Sequence, residues 1–207
     1  MVTIVLASMN PKKAEEIQRM TPHYIKVVCL KDIPEAAGIP QAEETGKTFI
    51  ENATIKAKYW VEKLNMPVLA EDSGIEIKAL DGYPGVYTKR CIDQLRPGAN
   101  INEDNPAEFY PLLLELIEES GKGTTEAKWV SSMALIDGTK EIYACESLLG
   151  NMCPCAGDRV FGFDQYFKPN GSTKTLSEMA PNAKDLIGPR LKALRRVLKV
   201  YDNNYTL

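Results

Sequence analysis

The sequence predicts an α/β protein with a mixed β-sheet, and three features of the chain lead to this fold class. Short apolar segments typical of β-strands alternate with amphipathic helices in the first third of the chain, as when helices pack on a sheet. Asp137-Gly138 separates two apolar segments in the middle of the chain, which is a strong β-hairpin signal. A final amphipathic helix closes the chain.

The first elements are a strand, a helix and a second strand. Residues 2–7 are apolar and predict a strand, and Asn10 and Pro11 then suit the N-cap and N1 positions of a helix. Residues 24–30 predict the next strand. A Pro- and Gly-rich loop over residues 33–46 follows.

A second helix begins after Thr48. Thr48 and Glu51 have the spacing of a capping box, in which each residue satisfies a backbone N–H near the other. The apolar residues on one face of this helix are Ile50, Ala53, Ala57, Trp60, Val61 and Leu64. Their spacing predicts a helix that packs this face against the sheet.

An acidic segment, Glu71-Asp72-Ser73-Gly74, lies between two apolar segments. Residues 66–70 predict a short buried strand and residues 75–80 alternate like a half-buried strand, so we expect residues 71–74 to form the turn between them. Two carboxylates and a hydroxyl in a turn suit a metal or a water that must lose a proton. The alternative is a solvent-exposed turn without function.

The second half of the chain predicts a helix, a hairpin and a final helix. The first helix runs from Pro106 to about Glu119, with Asn105 as cap and Pro111 distorting its first turns. The hairpin strands are residues 129–136 and 140–147. The final helix carries Leu191, Leu194, Val197, Leu198 and Tyr201 on one face.

The composition of the chain argues against proteins that coat nucleic acids, span membranes or are secreted. The 207 residues carry 25 Lys and Arg against 28 Asp and Glu, a net charge of −3, which disfavours a protein that coats a nucleic acid polymer. No apolar run has the length of a membrane span, and the first residues lack the charged start of a signal peptide. Five cysteines without a framework spacing suggest a reducing compartment. We therefore expect a cytoplasmic protein without a membrane segment.

Histidine and cysteine give little basis for catalysis. The single histidine, His23, argues against a Ser-His or Cys-His mechanism. Cys153-Pro154-Cys155 lacks the second ligand pair of a structural zinc site, so two ordinary thiols in a loop are the favoured interpretation. The sequence also contains neither a Gly-x-Gly-x-x-Gly dinucleotide motif nor a P-loop.

Polar residues recur where apolar elements end. Residues 8–13 carry lysines at a helix N-terminus, which suits a phosphate group, although a simple helix cap is the alternative. Glu43-Glu44 precede the second helix and could instead complement its dipole. Residues 161–164 place two phenylalanines before the cations Lys184 and Arg190, where an aromatic ring could stack on a base or belong to the core.

Five motifs occur in one order over about residues 3–198. They are Ser-x-Asn-x-x-Lys after the first strand, Glu-Glu-Thr-Gly-x-Thr-Phe-x-Glu-Asn-Ala, Glu-Asp-Ser-Gly, Tyr-Pro-Gly-Val-Tyr and Phe-Gly-Phe-Asp. In this order and spacing the chain resembles the inosine/xanthosine triphosphate pyrophosphatases, the Ham1-like family.

The resemblance implies a fold, an activity and a set of site residues. The expected fold is one domain over residues 1–207, an elongated mixed sheet with two α/β lobes around a central cleft, assembled as a homodimer. The expected activity is Mg²⁺-dependent hydrolysis of ITP, dITP or XTP to the monophosphate and pyrophosphate. Asp72 and Lys13 would be catalytic, and Glu44 and Asp72 would hold the metal. The substrate-binding residues would be Ser8, Asn10, Lys13, Ser73, Arg90, Phe161, Gly162, Phe163, Asp164, Lys184 and Arg190.

The chain departs from the family pattern at three places. Gly188-Pro189-Arg190 stands where relatives carry Ser-His-Arg, and the missing histidine helps to recognise the 6-oxo group of the base. Because proline lacks both a donor side chain and a backbone N–H, base selection is expected to be weakened or altered. Glu71 stands where relatives often have Asp and is expected to shift the metal geometry slightly. Residues 153–159 are less glycine-rich than expected.

Two other functional hypotheses remain open. One is a nucleotide-binding protein without turnover, which the retained Glu44 and Asp72 disfavour. The other is an unrelated α/β interaction module, which the ordered motifs disfavour. The basic residues of the last helix are expected to form a solvated face, with Arg190 alone directed at the substrate.

Overall fold

The computed structural model describes residues 2–88 and 106–202. Its strands are β1 (Val2–Leu6), β2 (Ile25–Cys29), β3 (Val68–Ile77), β4 (Glu126–Ile136), β5 (Glu141–Met152) and β6 (Phe167–Pro169). Its α-helices are α1 (Pro11–Met20), α2 (Phe49–Leu64), α3 (Pro106–Glu119), α4 (Pro181–Ile187) and α5 (Pro189–Tyr201). None of the helices in these two ranges is long and apolar enough to cross a membrane.

The sheet is mixed, as the sequence predicts. Its strand order is β2-β1-β3-β4-β5-β6. β1 pairs in parallel with β2 and with β3, while β5 and β6 are antiparallel. β4 and β5 are joined by a short turn in which Asp137 accepts hydrogen bonds from Thr139 and Lys140, so these strands form the predicted hairpin. The α/β fold class is therefore confirmed.

The chain divides into two compact units. The first contains residues 1–73, 131–146 and 189–207, and the second contains residues 74–130 and 147–188. The organisation of residues 1–207 as one domain with two lobes stays a prediction.

The first unit has two apolar clusters, and β3 contributes to both. One cluster joins Leu69 to residues of α1 and α5, including Ile17 and Leu194. The other joins Val68 and Ala70 to the apolar face of α2. Because successive side chains of a strand point to opposite faces, odd-numbered β3 residues near this point face α1 and α5, and even-numbered residues face α2.

The second unit has one aromatic core. Its buried members include Phe109 of α3, Trp129 of β4 and Phe167 of β6, with Tyr110 stacked on Tyr166 at a ring-centroid distance of 5.3 Å. These rings anchor α3 against the strands of this unit.

Several local predictions are confirmed. The Asn10 side chain accepts hydrogen bonds from the first-turn N–H groups of α1, and Thr48 and Glu51 form the capping box of α2. α3 continues through Pro111 as one helix. Its predicted cap, Asn105, lies outside the described residues. The hairpin strands are longer than predicted, beginning at Glu126 and ending at Met152.

The predicted acidic turn is wrong. Residues 71–74 continue the strand, and β3 runs from Val68 to Ile77 without interruption before a 3₁₀ turn at Lys78–Leu80. β3 lies between β1 and β4, and ladder hydrogen bonds from neighbouring strands outweigh the low strand propensity of an Asp-Ser-Gly sequence. Glu71 and Asp72 therefore project from opposite faces of the sheet rather than from one turn.

Candidate active site

Asp72 lies at the centre of a polar cluster on the α2 face of β3. Its Oδ2 accepts a hydrogen bond of 3.2 Å from the side-chain amide of Asn52, and its Oδ1 lies 3.2 Å from the ammonium of Lys56. Asn52 and Lys56 are four residues apart on α2, so they share one helix face. We call Asp72, Asn52, Lys56 and Glu44 the Asp72 cluster.

Lys56 links two carboxylates. Its Nζ lies 2.7 Å from Oε1 of Glu44 and also donates a 3.0 Å hydrogen bond to the backbone carbonyl of Glu71. The side chains of Lys56 and Asp72 are each 14% exposed, and that of Glu44 is 26% exposed. The two carboxylates that the sequence assigns to a metal thus converge on one cation at the edge of the buried region.

Asn52 fixes the loop that carries Glu44. Its buried Oδ1 accepts a 2.8 Å hydrogen bond from the Gly46 N–H while its Nδ2 donates to Asp72. A Cβ on residue 46 would lie 2.7 Å from Asn52 Oδ1, so only glycine allows this approach. The loop and the Asp72 carboxylate are therefore held by the two ends of one amide.

The charges of the Asp72 cluster shift its pKa values. Burial raises the pKa of Asp72, and the nearby Glu44 raises it further, which together outweigh the opposite effect of Lys56. Burial alone would lower the pKa of Lys56, but Asp72 and Glu44 outweigh it and raise that pKa. The result is an ammonium kept charged beside a carboxyl that holds its proton more strongly than usual.

The loop after β1 and the start of α1 also belong to the first unit. Ser8 Oγ accepts a 3.2 Å hydrogen bond from the Asn10 N–H, and Asn10 Oδ1 accepts from the N–H groups of Lys12 and Lys13. Ala7 bonds to β3 at Leu69, which places this loop beside the acidic end of β3. Asn10 thus serves as the helix cap in this structure, and its role in substrate binding stays a prediction.

Glu71 lies in a buried ionic network on the α1 and α5 face of β3. Its Oε1 lies 2.8 Å from Arg190 Nε and accepts a 2.7 Å hydrogen bond from Ser131, and its Oε2 lies 2.9 Å from Lys13 Nζ. Arg190 also pairs with Glu16. We call Glu71, Lys13, Arg190, Glu16 and Ser131 the Glu71 network.

Two expectations concern this network. Glu71 was expected to shift the metal geometry slightly; its carboxylate pairs with Lys13 and Arg190, and its effect on a metal stays a prediction. Arg190 was expected to be the one basic residue of this helix that is directed at the substrate; it is only 4% exposed, and its role in substrate binding stays a prediction. The other basic residues of α5, Lys192, Arg195, Arg196 and Lys199, are exposed as predicted.

The pKa values of Glu71 and Lys13 are both lowered, for different reasons. Burial would raise the pKa of Glu71, but Arg190 and Lys13 outweigh it and hold that pKa far below its ordinary value. Burial lowers the pKa of Lys13, with Glu71 opposing this effect and Arg190 and Lys56 adding to it. Glu71 is thus firmly ionised and helps Lys13 to keep its proton.

Two further substrate-binding residues were predicted, Ser73 and Arg90. Ser73 is half-buried on β3, directly after Asp72. Arg90 lies outside the described residues. The structure therefore brings Lys13, Glu44, Asp72 and Arg190 into two adjacent charge clusters.

The segment predicted to contact a base lies in the second unit. Lys184 forms a 2.7 Å ion pair with Asp164, and both side chains are less than 10% exposed. The Lys184 ammonium lies 4.7 Å from the centre of the Phe161 ring. Phe163 is partly buried, makes an edge contact with Trp129 and packs against the core, while Gly162 is an exposed glycine with φ of +53°.

Trp129 explains the glycine at position 188. A Cβ there would lie 3.2 Å from the Trp129 ring and 3.0 Å from the Lys184 carbonyl oxygen. Pro189 then begins α5, as predicted. The serine that relatives carry would thus be crowded by this tryptophan.

Lys56 and Trp129 were not predicted as site residues, and no role was predicted for Asn52 or Ser131. Asn52 and Lys56 could have been found, because they are polar residues at i and i+4 that border the apolar Ala53 and Ala57 positions of α2. Ser131 and Trp129 lie inside an apolar strand and give no such signal.

Cysteine and histidine form no metal centre and no disulfide within the described residues. Cys29, Cys145, Cys153 and Cys155 are all free thiols, and Cys91 lies outside the described ranges. Within residues 2–88 and 106–202 no three His, Cys, Asp or Glu side chains group in a way that could hold a metal. Proteins commonly bind Mg²⁺ through one or two carboxylates and complete its ligands with water and substrate oxygens.

The comparison with known proteins decides the family. The sequence profile of the Ham1 family matches residues 4–200 of this chain. The chain belongs to the Ham1 family.

Relatives of this Ham1 chain match it over nearly its whole length. The dITP/XTP pyrophosphatase of Aquifex aeolicus is 35% identical over 97% of this chain and 96% of its own, and that of Oceanobacillus iheyensis is 32% identical over 96% and 98%. The solved structure of a HAM1 protein from Coxiella burnetii matches with a TM-score of 0.82 at 30% identity, covering 97% of this chain and 98% of its own. The fold is therefore the Ham1 fold.

Proposed function

We propose that this Ham1 protein is a hydrolase that cleaves non-standard purine nucleoside triphosphates, such as dITP, ITP and XTP, to the monophosphate and pyrophosphate. The observation that carries the proposal is the half-buried Asp72 carboxylate, held by Asn52 and Lys56 beside a second carboxylate. The names of its relatives, dITP/XTP pyrophosphatases, supply the substrate class.

Asp72 is proposed as the general base. A water attacks the α-phosphorus and gives its proton to Asp72, while the bond from that phosphorus to the bridging oxygen breaks and pyrophosphate leaves. The geometry supports this role, because Asp72 is a carboxylate held at one position by hydrogen bonds from two side chains. Lys56 and Asn52 hold the carboxylate in place and limit its rotation.

Glu44 and Asp72 are proposed to hold Mg²⁺. Both are carboxylates, the ligands Mg²⁺ prefers, and they converge within 3.2 Å of one cation, Lys56 Nζ. When bound, Mg²⁺ would neutralise phosphate charge and lower the barrier to attack. The repulsion by which Glu44 raises the pKa of Asp72 would be relieved by such a cation.

The remaining residues are proposed to bind substrate. Ser8, Asn10, Lys13 and Ser73 lie in the first unit around β1, α1 and β3 and suit phosphate oxygens, as does Arg90 by its motif. Those proposed for the base are Phe161, Gly162, Phe163, Asp164 and Lys184. Arg190 is proposed to act on the substrate together with Lys13, from its buried pair with Glu71. A homodimer and a cytoplasmic location complete the proposal.

A second candidate function is the same reaction with relaxed base selection. Gly188-Pro189 provides neither the serine nor the histidine of the family motif, and Trp129 fills the space next to Gly188. Turnover would then be spread over several bases. A nucleotide-binding protein without turnover is the remaining alternative.

The test is release of pyrophosphate and monophosphate with Mg²⁺ from dITP, ITP, XTP and the four common nucleoside triphosphates. Preference for dITP, ITP and XTP, lost in Asp72→Asn, supports the main proposal. Replacing Asp72 should lower kcat by about 10³-fold, because a positioned base contributes roughly 10² to 10⁴. The matched control is Asp137→Asn, which changes a carboxylate in the exposed hairpin turn and should leave turnover unaltered.

The outcomes separate the three alternatives. Comparable rates on common and non-standard bases would support relaxed selection. Binding of nucleotide without release of pyrophosphate would contradict hydrolysis and leave the binding protein. A rate that does not depend on Mg²⁺ would contradict the metal assignment to Glu44 and Asp72.

A further inference from the structure

The Glu71 side chain is fully buried and faces two cations. Its Oε1 contacts Arg190 at 2.8 Å and Ser131 at 2.7 Å, and Lys13 lies 2.9 Å from Oε2. Oε2 has no hydrogen bond of normal geometry among the described residues, so the Lys13 ammonium balances its charge as an ion pair. A buried carboxylate is tolerated only with such partners.

Lys13 depends on Glu71 more than Arg190 does. Arg190 has a second carboxylate, Glu16. Within residues 2–88 and 106–202, Glu71 is the one carboxylate in ion-pair contact with Lys13. Removing the Glu71 charge would therefore leave Lys13 partly buried and without an anionic contact.

The position of the ammonium is set by β3. Lys13 lies in the first turn of α1, and its long side chain could adopt many rotamers in water. Its pairing with an immobile strand carboxylate selects one of them, with 19% of the side chain still exposed. A cation held in this way binds an anion without losing that freedom on binding.

We propose that Glu71 is a positioning residue, which orients the Lys13 ammonium for the phosphates of the substrate without touching substrate or metal. The inference rests on the proposed function for its substrate. It follows from the alternation of β3, which directs Glu71 to α1 and α5 and directs Asp72 to α2. The groups that face Lys13 are Glu71 from β3, Arg190 from α5 and Lys56 from α2.

The first experiment is steady-state kinetics of Glu71→Gln and Glu71→Asp with dITP. Glu71→Gln should raise KM by about 30-fold and change kcat by less than about fivefold, because phosphate binding is lost in ground state and transition state alike. Glu71→Asp keeps the charge on a shorter side chain, and its KM should be close to that of the wild type. A merely structural role would reduce the amount of folded enzyme and leave KM unaltered.

A double-mutant cycle tests whether Glu71 acts through Lys13. In a Lys13→Met background, Glu71→Gln should change kcat/KM by less than about threefold, since coupled residues are not additive. The matched control is Glu146→Gln, which removes a carboxylate from another ion pair of the first unit and should keep the wild-type KM. If Glu71→Gln does not fold, Glu71→Asp takes its place in the cycle.

The outcomes separate this inference from the proposed function. Wild-type hydrolysis with an unchanged KM in both Glu71 variants, or full additivity with Lys13→Met, would overturn the inference and leave the function standing. If the wild-type protein hydrolyses no nucleotide, the inference is tested by calorimetry of inorganic tripolyphosphate binding to the wild-type protein and to Glu71→Gln. Weakening by about tenfold or more in the Glu71 variant supports positioning. Equal binding, or none to the wild-type protein, overturns it.

Discussion

Glu71 and Asp72 are neighbours on β3, but their carboxylates lie in opposite surroundings. Glu71 has two cations for its one charge, and its pKa is held far below the ordinary value. Asp72 shares Lys56 with Glu44, and its pKa is raised. Both are largely buried, so burial alone does not decide the direction. The balance of nearby charges decides it, and one step along a strand is enough to change that balance.

The strongest test of the comparison is Arg190→Met. It leaves Glu16 and Glu71 with one cation fewer in the interior, so the free energy of unfolding should fall by about 3–5 kcal/mol. Urea denaturation measures this change. The control is Arg196→Met, whose side chain is 70% exposed in its pair with Glu146 and should cost less than about 1 kcal/mol. Equal losses in the two variants would show that the buried ion pairs of Arg190 contribute no more to the free energy of unfolding than the exposed ion pair of Arg196.

Asn52→Ala tests the neutral donor of the Asp72 cluster. It leaves the Gly46 N–H and Asp72 Oδ2 without their partner, so the free energy of unfolding should fall by about 2 kcal/mol, and kcat should fall as well. Denaturation and the dITP assay measure the two effects. Thr54→Ala, which removes a hydroxyl bonded within α2, is the control and should leave kcat unchanged. Wild-type kcat in Asn52→Ala would mean that Asp72 needs no such support.

Ser131→Ala tests the neutral donor of the Glu71 network. One hydrogen bond to Glu71 is lost while both cations remain, so the loss of stability should be about 1 kcal/mol. kcat should stay at the wild-type value, since the hydroxyl bonds to the Glu71 side chain, which the alternation of β3 directs to the face opposite Asp72. A fall in kcat as large as that of Asn52→Ala would remove the functional difference between the two faces.

The pH dependence of stability should differ in sign for the two carboxyls. The lowered pKa of Glu71 gives stability that is present above its ordinary value of 4.5 and is lost as the pH falls further. The raised pKa of Asp72 does the opposite, because the folded state takes up its proton first. Asp72→Asn should therefore lose stability more steeply than the wild type as the pH falls towards 3.8. Parallel curves, measured without divalent cations, would contradict the raised pKa.

Local signals in the sequence were sufficient for the caps, the hairpin and the mixed sheet. Asn10, Thr48 and Glu51 act on backbone groups within three residues, so their spacing alone predicts their contacts. The course of β3 through residues 71–74 could not be predicted, because its ladder partners come from distant parts of the chain.

The charge clusters show the same limit. Lys56 reaches Asp72 across 16 residues and Arg190 reaches Glu71 across 119, and no periodic pattern encodes such distances. The buried pairing of Arg190 with Glu71 was not predicted for this reason. The resemblance to a family supplied the candidate residues, and the pairing among them became visible only in the structure.

Gly46 links the start of α2 to the positions of two carboxylates. The Asn52 side-chain amide on α2 holds both the loop that carries Glu44 and the Asp72 carboxylate, so one side chain sets the positions of both carboxylates. A Cβ at position 46 would lie 2.7 Å from Asn52 Oδ1 and would displace this amide. Every substitution of Gly46 should therefore change the spacing of Glu44 and Asp72, although Gly46 contributes no chemical group of its own.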